Sequence, residues 1–279
     1  MENIHKVLIT ICPDSIRLMA KITGICFKHQ LNIVRNDEFV DADHQHFFLR
    51  TELEGSFNDK QLLKDLNEVL PEGAENRLLV AERKRIVVMV TKEPHCLGEL
   101  LMKSAYGSFN ADIVGIISNY NDLAGLAEKF NVPFHHVSHD SIAREEQEAR
   151  VKGIIDGYNP EYVVLAKYMR ILSPAFVESY PNKIINIHHS FLPAFVGASP
   201  YKQAWERGVK IVGATAHFVN NDLDEGPIIS QDVIRVDHRY SAQQMAQAGR
   251  QVEESVLLDA LQQVFDEKVF VYGNRTVVF

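Results

Sequence analysis

The sequence is poor in cross-linking residues: it has three cysteines, Cys12, Cys26 and Cys96, too scattered for a C-x-x-C pair. Neither a disulfide framework nor a thiolate metal site fits that number and spacing, and a reducing cytoplasm is the expected setting. Long hydrophobic runs are also missing. No window approaches the ~18 uninterrupted apolar residues that a membrane span needs, so no membrane partner is expected. The opening stretch, 1–14, offers no basic leader and no small-residue cleavage site, so export is not expected either. Basic charge is scarce: 29 Lys and Arg against 37 Asp and Glu give a net charge of -8. That balance argues against nucleic acid as the main partner, because phosphate binding needs a concentrated basic face. The longest basic cluster, Arg83-Lys84-Arg85, reads as a solvated linker. What is present, 46% hydrophobic and 24% charged residues over a length of 279, suffices for one large domain or two modest ones with a real core.

The first eighty or so residues read as strand, helix, strand, strand, helix, strand. Lys6 to Ile11 is an apolar strand, and Ser15 to His29 places Ile16, Met19, Ala20, Ile22, Thr23, Cys26 and Phe27 at helical spacing. Strands follow at Asn32 to Phe39 and His46 to Leu53, a helix at Asp59 to Val69 ended by Pro71 and Gly73, and a strand at Arg77 to Ala81. This order predicts a ferredoxin-like α+β domain over residues 1–82, with two helices on one face of an antiparallel sheet. From 83 to 279 the period changes. Strands at Ile86–Val90, Ile113–Ser118, Phe134–Val137, Tyr162–Leu165 and Ile184–Ile187 alternate with helical segments, which predicts a Rossmann-like α/β domain with a mostly parallel sheet. Ligands of such sheets sit at the carboxyl ends of the strands, so the residues just after them are where chemistry is sought.

One such strand runs through Asn186-Ile187-His188-His189-Ser190. Alternation in an extended segment puts Asn186 and His188 on one side and Ile187 and His189 on the other. An amide donor and an imidazole can then converge on one substrate atom, whereas the adjacent histidines are poor joint ligands for a metal. A second strand, Gly213 to Val219, leads into a polar loop in which Asp224 occupies a turn-forming sequence; a carboxylate there either caps the turn or points into a cleft. His135, His136, His139 and Asp140 form a polar cluster without the helical pairing of a zinc motif, so no metal is expected. Arg144 to Arg150 is a charge run of a solvated helical face.

These segments, Ile184 to Pro193, Val212 to Phe218 and Leu223-Asp224-Glu225-Gly226-Pro227, resemble the folate-dependent formyltransferase superfamily, whose Asn, His and Asp catalytic residues match Asn186, His188 and Asp224. Lys92 to Gly98, His189 to Pro193 and Phe270 to Thr276 are similar to its deformylase branch, and the first domain resembles an ACT domain. The resemblance covers nearly the whole chain. It implies 10-formyltetrahydrofolate and water as substrates, tetrahydrofolate and formate as products, and no cofactor or metal. It places the pterin against the backbone of Met169, Arg170, Ile171 and Leu172, with Asn220, Asn221 and Asp222 closing the other side. His217 reads as a structural neighbour of the site. An ACT domain implies side-by-side homo-oligomers and an amino-acid effector.

The sequence departs from the family at Arg17 and Gln45, where glycine is usual, and at Tyr120, where histidine is common; a bulky side chain disfavours the φ > 0 that glycine permits. Two other readings stand beside hydrolysis: formyl transfer to an amine, and a folate or amino-acid sensor without catalysis. Transferases acting on phosphorylated acceptors use a glycine-rich turn after the first strand of the sheet. Here that turn is Thr91-Lys92-Glu93-Pro94-His95-Cys96-Leu97-Gly98, in which Pro94 removes a donor and Glu93 repels an anion, so water is the simpler acceptor.

Overall fold

The structure, a computed structural model, describes residues 4–80, 82–194 and 200–279. It divides into two compact units, Met1–Glu82 with Asp266–Phe270 and Val277–Phe279, and Arg83–Phe265 with Val271–Thr276.

The first unit has the predicted order: β1 (Ile4–Pro13), α1 (Leu18–Lys28), β2 (Asn32–Asp41), β3 (His46–Gly55), α2 (Asp59–Val69) and β4 (Glu75–Val80). The expected strand end at Ala81 lies outside the described residues. Its sheet runs β2-β3-β1-β4, every pair antiparallel. Alternation explains the core: Leu8 and Cys12 of β1 and Phe47, Leu49 and Leu53 of β3 meet Leu18, Ile22 and Cys26 of α1 and Leu62 and Leu66 of α2. Each such leucine contributes about 1.5–3 kcal/mol of burial. α2 starts where it does because the Asn58 side chain accepts from the Gln61 N–H at 3.2 Å.

Arg17 and Gln45 keep the left-handed backbone despite their side chains, at φ 70° and 53°. The turns that glycine makes freely are therefore retained, at a cost of roughly 1–2 kcal/mol each. Arg50 is buried, and its guanidinium donates to the carbonyls of Asp266 and Glu267, at 2.9–3.1 Å, and to Glu52 at 2.6 Å.

The second unit contains β5 (Lys84–Val90), α3 (His95–Ala105), β6 (Ala111–Ser118), α4 (Ala124–Lys129), β7 (Phe134–His136), α5 (Arg144–Tyr158), β8 (Tyr162–Leu165), α6 (Pro174–Glu178) and β9 (Ile184–His188). After these come α7 (Pro200–Arg207), β10 (Ile211–Phe218), β11 (Ile228–Arg235) and α8 (Ala242–Phe265), and the chain ends in β12 (Val269–Tyr272) and β13 (Arg275–Val278). The sheet order is β11-β10-β9-β8-β5-β6-β7. Pairs from β9 through β7 are parallel, while β10 runs antiparallel to both β9 and β11. The order reverses at β5, which opens a crevice beyond the carboxyl ends of β5 and β8. β5 is buried on both faces, with Ile86 to Val90 fully enclosed, as a central parallel strand requires.

Candidate active site

A cleft of 380 Å³ opens in the second unit. All ten residues singled out from the sequence line it: Asn186, His188 and Asp224, with Met169, Arg170, Ile171 and Leu172 from the segment after β8 and Asn220, Asn221 and Asp222 from the loop after β10. Met169 and Ile171 are largely exposed, so they are not core residues, whereas Leu172 packs against the buried core of this unit.

β9 supplies the first two reactive groups, Asn186 and His188, two residues apart on one strand. The β10–β11 loop brings in the third: Asp224 adopts φ 57°, a left-handed conformation that Asp tolerates better than most residues, and its Oδ2 lies 3.3 Å from His188 Nδ1. The other ring nitrogen of His188, Nε2, is buried and has no hydrogen-bond partner among the described residues. A buried, unsatisfied imidazole nitrogen lining an open cleft is a place prepared for a ligand atom.

His217 on β10 organises Asn186. Its Nδ1 is 2.9 Å from the Phe218 carbonyl, which can only accept, so Nδ1 carries the hydrogen and Nε2 the lone pair. The Asn186 amide N–H therefore donates to His217 Nε2 at 3.2 Å, which settles which end of the amide is nitrogen and leaves its second N–H for a ligand. Burial pushes the His217 pKa down, against smaller opposing contributions from the Phe218 carbonyl and Asp224, so the ring stays neutral in this role. Burial pushes Asp224 up, but the hydrogen bond and charge of His188, joined by His217 and His189, outweigh it and keep the carboxyl below its usual range. The expectation that His217 is a structural neighbour understates its contacts: it touches one candidate residue and lies 3.8 Å from Asp224 Oδ1.

His189 also lines the cleft. Strict alternation puts it on the opposite side from His188, and it also borders a second cavity beside Tyr201, whose ring is 6.2 Å away, while the two histidine rings stand 5.1 Å apart. Burial, then the charges of Lys167 and His188, lower its pKa from 6.5 to about 4. The unfolded chain takes up a proton at this histidine before the folded one does, so stability is expected to fall as pH drops from 6.5 towards 4. Following the His189 ring resonances through an acid titration, together with the melting temperature, checks this; a midpoint near 6.5 contradicts it.

Sequence reasoning also missed Lys167, buried two residues beyond β8, and its partner Glu253, fully buried on α8. Glu253 Oε2 lies 2.7 Å from His95 Nε2 and 3.2 Å from Lys167 Nζ, and Oε1 accepts from the Tyr201 hydroxyl at 2.7 Å. Burial raises its pKa, but His95, Lys167 and Tyr201 together hold it at about 2. Among the described residues His95, Cys96 and Glu253 place ligand-type atoms within 4.8 Å of one another. The Lys167 ammonium beside that carboxylate supplies the positive charge a metal would bring, and burial keeps the Cys96 thiol protonated. His135 instead pairs with Tyr158 at 2.7 Å, His139 with Asn119 at 3.3 Å, and Tyr120 stacks edge-on against His139.

The reversing sheet and this cleft define a catalytic domain of the formyl transferase class: the Formyl transferase family model matches residues 84–261, and the ACT domain model matches residues 6–71 of the first unit. The chain is 60% identical over 274 residues to a formyltetrahydrofolate deformylase of Escherichia coli O6:H1 and 58% identical over 273 to that of Haemophilus influenzae, in each case over 98% of both chains. It superposes with a TM-score of 0.94 on the crystal structure of a formyltetrahydrofolate deformylase from Pseudomonas syringae pv. tomato, at 37% identity, covering 100% of this chain and 95% of that one. The chain belongs to the formyltetrahydrofolate deformylase family.

Proposed function

We propose that this protein hydrolyses 10-formyltetrahydrofolate to tetrahydrofolate and formate, with Asn186, His188 and Asp224 as its catalytic residues. The observation that carries this reading is His188 Nε2, which is buried in the wall of an open cleft with no hydrogen-bond partner among the described residues, beside the Asn186 amide and backed by the Asp224 carboxylate. Water adds to the formyl carbon, and the carbonyl electron pair moves onto oxygen. The Asn186 amide donates to that oxyanion, a contribution typically worth about 2.7–4 kcal/mol of barrier. When protonated, His188 donates from Nε2 as well as from Nδ1 to Asp224, and it then protonates the departing folate nitrogen as the C–N bond breaks. The water's proton passes to the His188–Asp224 pair. One water is consumed, and one formate, one tetrahydrofolate and one proton leave.

The pterin ring lies against the peptide groups of Met169 to Leu172, with Asn220 to Asp222 opposite; a flat donor–acceptor edge suits backbone groups set in a largely apolar wall. The chemistry needs no metal and no cofactor. In the first unit Val34, Phe39 and Val40 of the edge strand β2 are exposed apolar residues, which supports homo-oligomers formed through the ACT domain. Arg17 and Gln45, at φ 70° and 53°, put bulky side chains where the family usually has glycine, which supports oligomerisation without the ordinary effector control. Among the described residues no helix is long and apolar enough to cross a membrane. A cytoplasmic enzyme that balances one-carbon folates and supplies formate for purine synthesis accords with this reading.

Purified protein supplied with 10-formyltetrahydrofolate is expected to release formate and tetrahydrofolate in equal amounts without any added amine. Strict dependence on an amine acceptor would reassign it as a transferase, and binding without turnover would make it a sensor.

A further inference from the structure

The catalytic trio accounts for one oxygen of the product. When water adds to the formyl carbon and the C–N bond breaks, the formyl oxygen and the water-derived oxygen become the two equivalent oxygens of formate. Asn186 and His188 face the first, and nothing in the trio compensates the charge that settles on the second. The cleft holds a further cation, Lys167, 5% exposed, among its lining residues.

Three features set Lys167 apart from a core lysine paired by accident. It adopts φ 64°, a conformation that an L side chain takes only at a cost and that glycine takes freely, so the chain bears local strain to keep a side chain there. Its backbone is pinned on the other side, where the carbonyl accepts from the Thr91 hydroxyl at 2.8 Å. Its ammonium is locked by Glu253 at 3.2 Å, and Glu253 is itself held by His95 and Tyr201. An ammonium has three N–H donors, and a single carboxylate oxygen engages one of them, which leaves donors for a ligand. Lys167 and His189 line the same cleft, and the His189 ring stands 5.1 Å from that of His188. A buried ammonium and an imidazole next to the reacting centre form a pocket for a small carboxylate.

Accepting the hydrolytic reading above, we infer that Lys167, with His189, forms a formate subsite: it holds the oxygen delivered by water, first as the nucleophile and then as the second carboxylate oxygen of the departing product. Glu253 is a positioning residue that fixes the ammonium through its own buried network. Formate is then a product inhibitor that binds through Lys167, and other small carboxylates compete for the same place.

Titration of the protein with sodium [13C]formate at ionic strength kept constant with chloride, followed by NMR line width, tests this without turnover. Wild-type protein is expected to bind formate saturably, and Lys167→Gly, which suits the backbone at this position, to bind it about tenfold more weakly, the size of one lost charge-assisted contact. Inhibition of turnover by formate should weaken by the same factor in Lys167→Met, which keeps the side-chain length but not the charge. If removal of one charge unfolds the protein, Lys167→Gly combined with Glu253→Gln removes both, and the same loss of formate affinity is expected. Equal formate affinity in wild-type and variant proteins, or no saturable binding to either, overturns the inference. The hydrolytic reading fails separately, when wild-type protein releases no formate from 10-formyltetrahydrofolate, and the formate titration still reports on Lys167 in that case.

Discussion

Asp224→Asn is expected to lower kcat by about a thousandfold with little change in folding, within the range that positioned acid–base groups supply. The substitution is chosen for its backbone. Asp224 sits at φ 57°, and asparagine tolerates that conformation as aspartate does, so shape and turn survive and charge alone is lost. A neutral amide 3.3 Å from His188 Nδ1 still accepts a hydrogen bond but carries no charge to oppose that of a protonated His188, the form that donates from Nε2 to the oxyanion and the leaving nitrogen. The loss is expected in kcat rather than KM, because the pterin wall is untouched. There is a second signature. The folded carboxyl titrates below its usual 3.8, so its charge contributes stability that is present above that pH and lost as pH falls through the folded value; in the variant this acid-side loss is smaller. Single-turnover kinetics beside an acid melt would measure both, and near-normal kcat would remove Asp224 from the mechanism.

Gly226→Ala is the largest expected effect from a residue that touches no reacting atom. A Cβ there would overlap the Phe218 carbonyl oxygen and lie 2.9 Å from its carbon, both backbone atoms that cannot rotate away. The loop must move, and with it the hydrogen bond from the Phe218 N–H to the Pro227 carbonyl, now 2.9 Å. Asp224 is two residues upstream on the same loop. A displacement of an ångström at a catalytic group costs about a hundredfold in rate, and overpacking adds about 1–3 kcal/mol of lost stability. We expect kcat to fall by that factor or more together with a lower melting temperature; an unchanged rate would mean that the loop accommodates the methyl without moving Asp224.

The regular elements were largely legible from residue patterns, because local periodicity forms them. α2 and β8 have the bounds that their spacing predicts, and β1 and β3 extend the predicted strands by a few residues. Asn186 and His188 were readable as a pair because strand alternation is a local rule. Lys167 and Glu253 were not readable at all. They are far apart in the chain, each has the composition of a solvated position, and they become a buried pair only when α8 packs beside the sheet. The antiparallel turn of β10 is likewise a tertiary outcome, since an apolar strand carries no mark of its direction.

The buried guanidinium of Arg50 bears on how the chain can be cut into pieces. Its acceptors Asp266 and Glu267 lie more than two hundred positions downstream, yet they cluster with the N-terminal unit, as do Phe270 and Phe279, whose rings meet edge-on at 5.3 Å. A fragment stopping at Glu82 would keep the Glu52 carboxylate but lose the carbonyls that accept from the Arg50 guanidinium, leaving those donors to water.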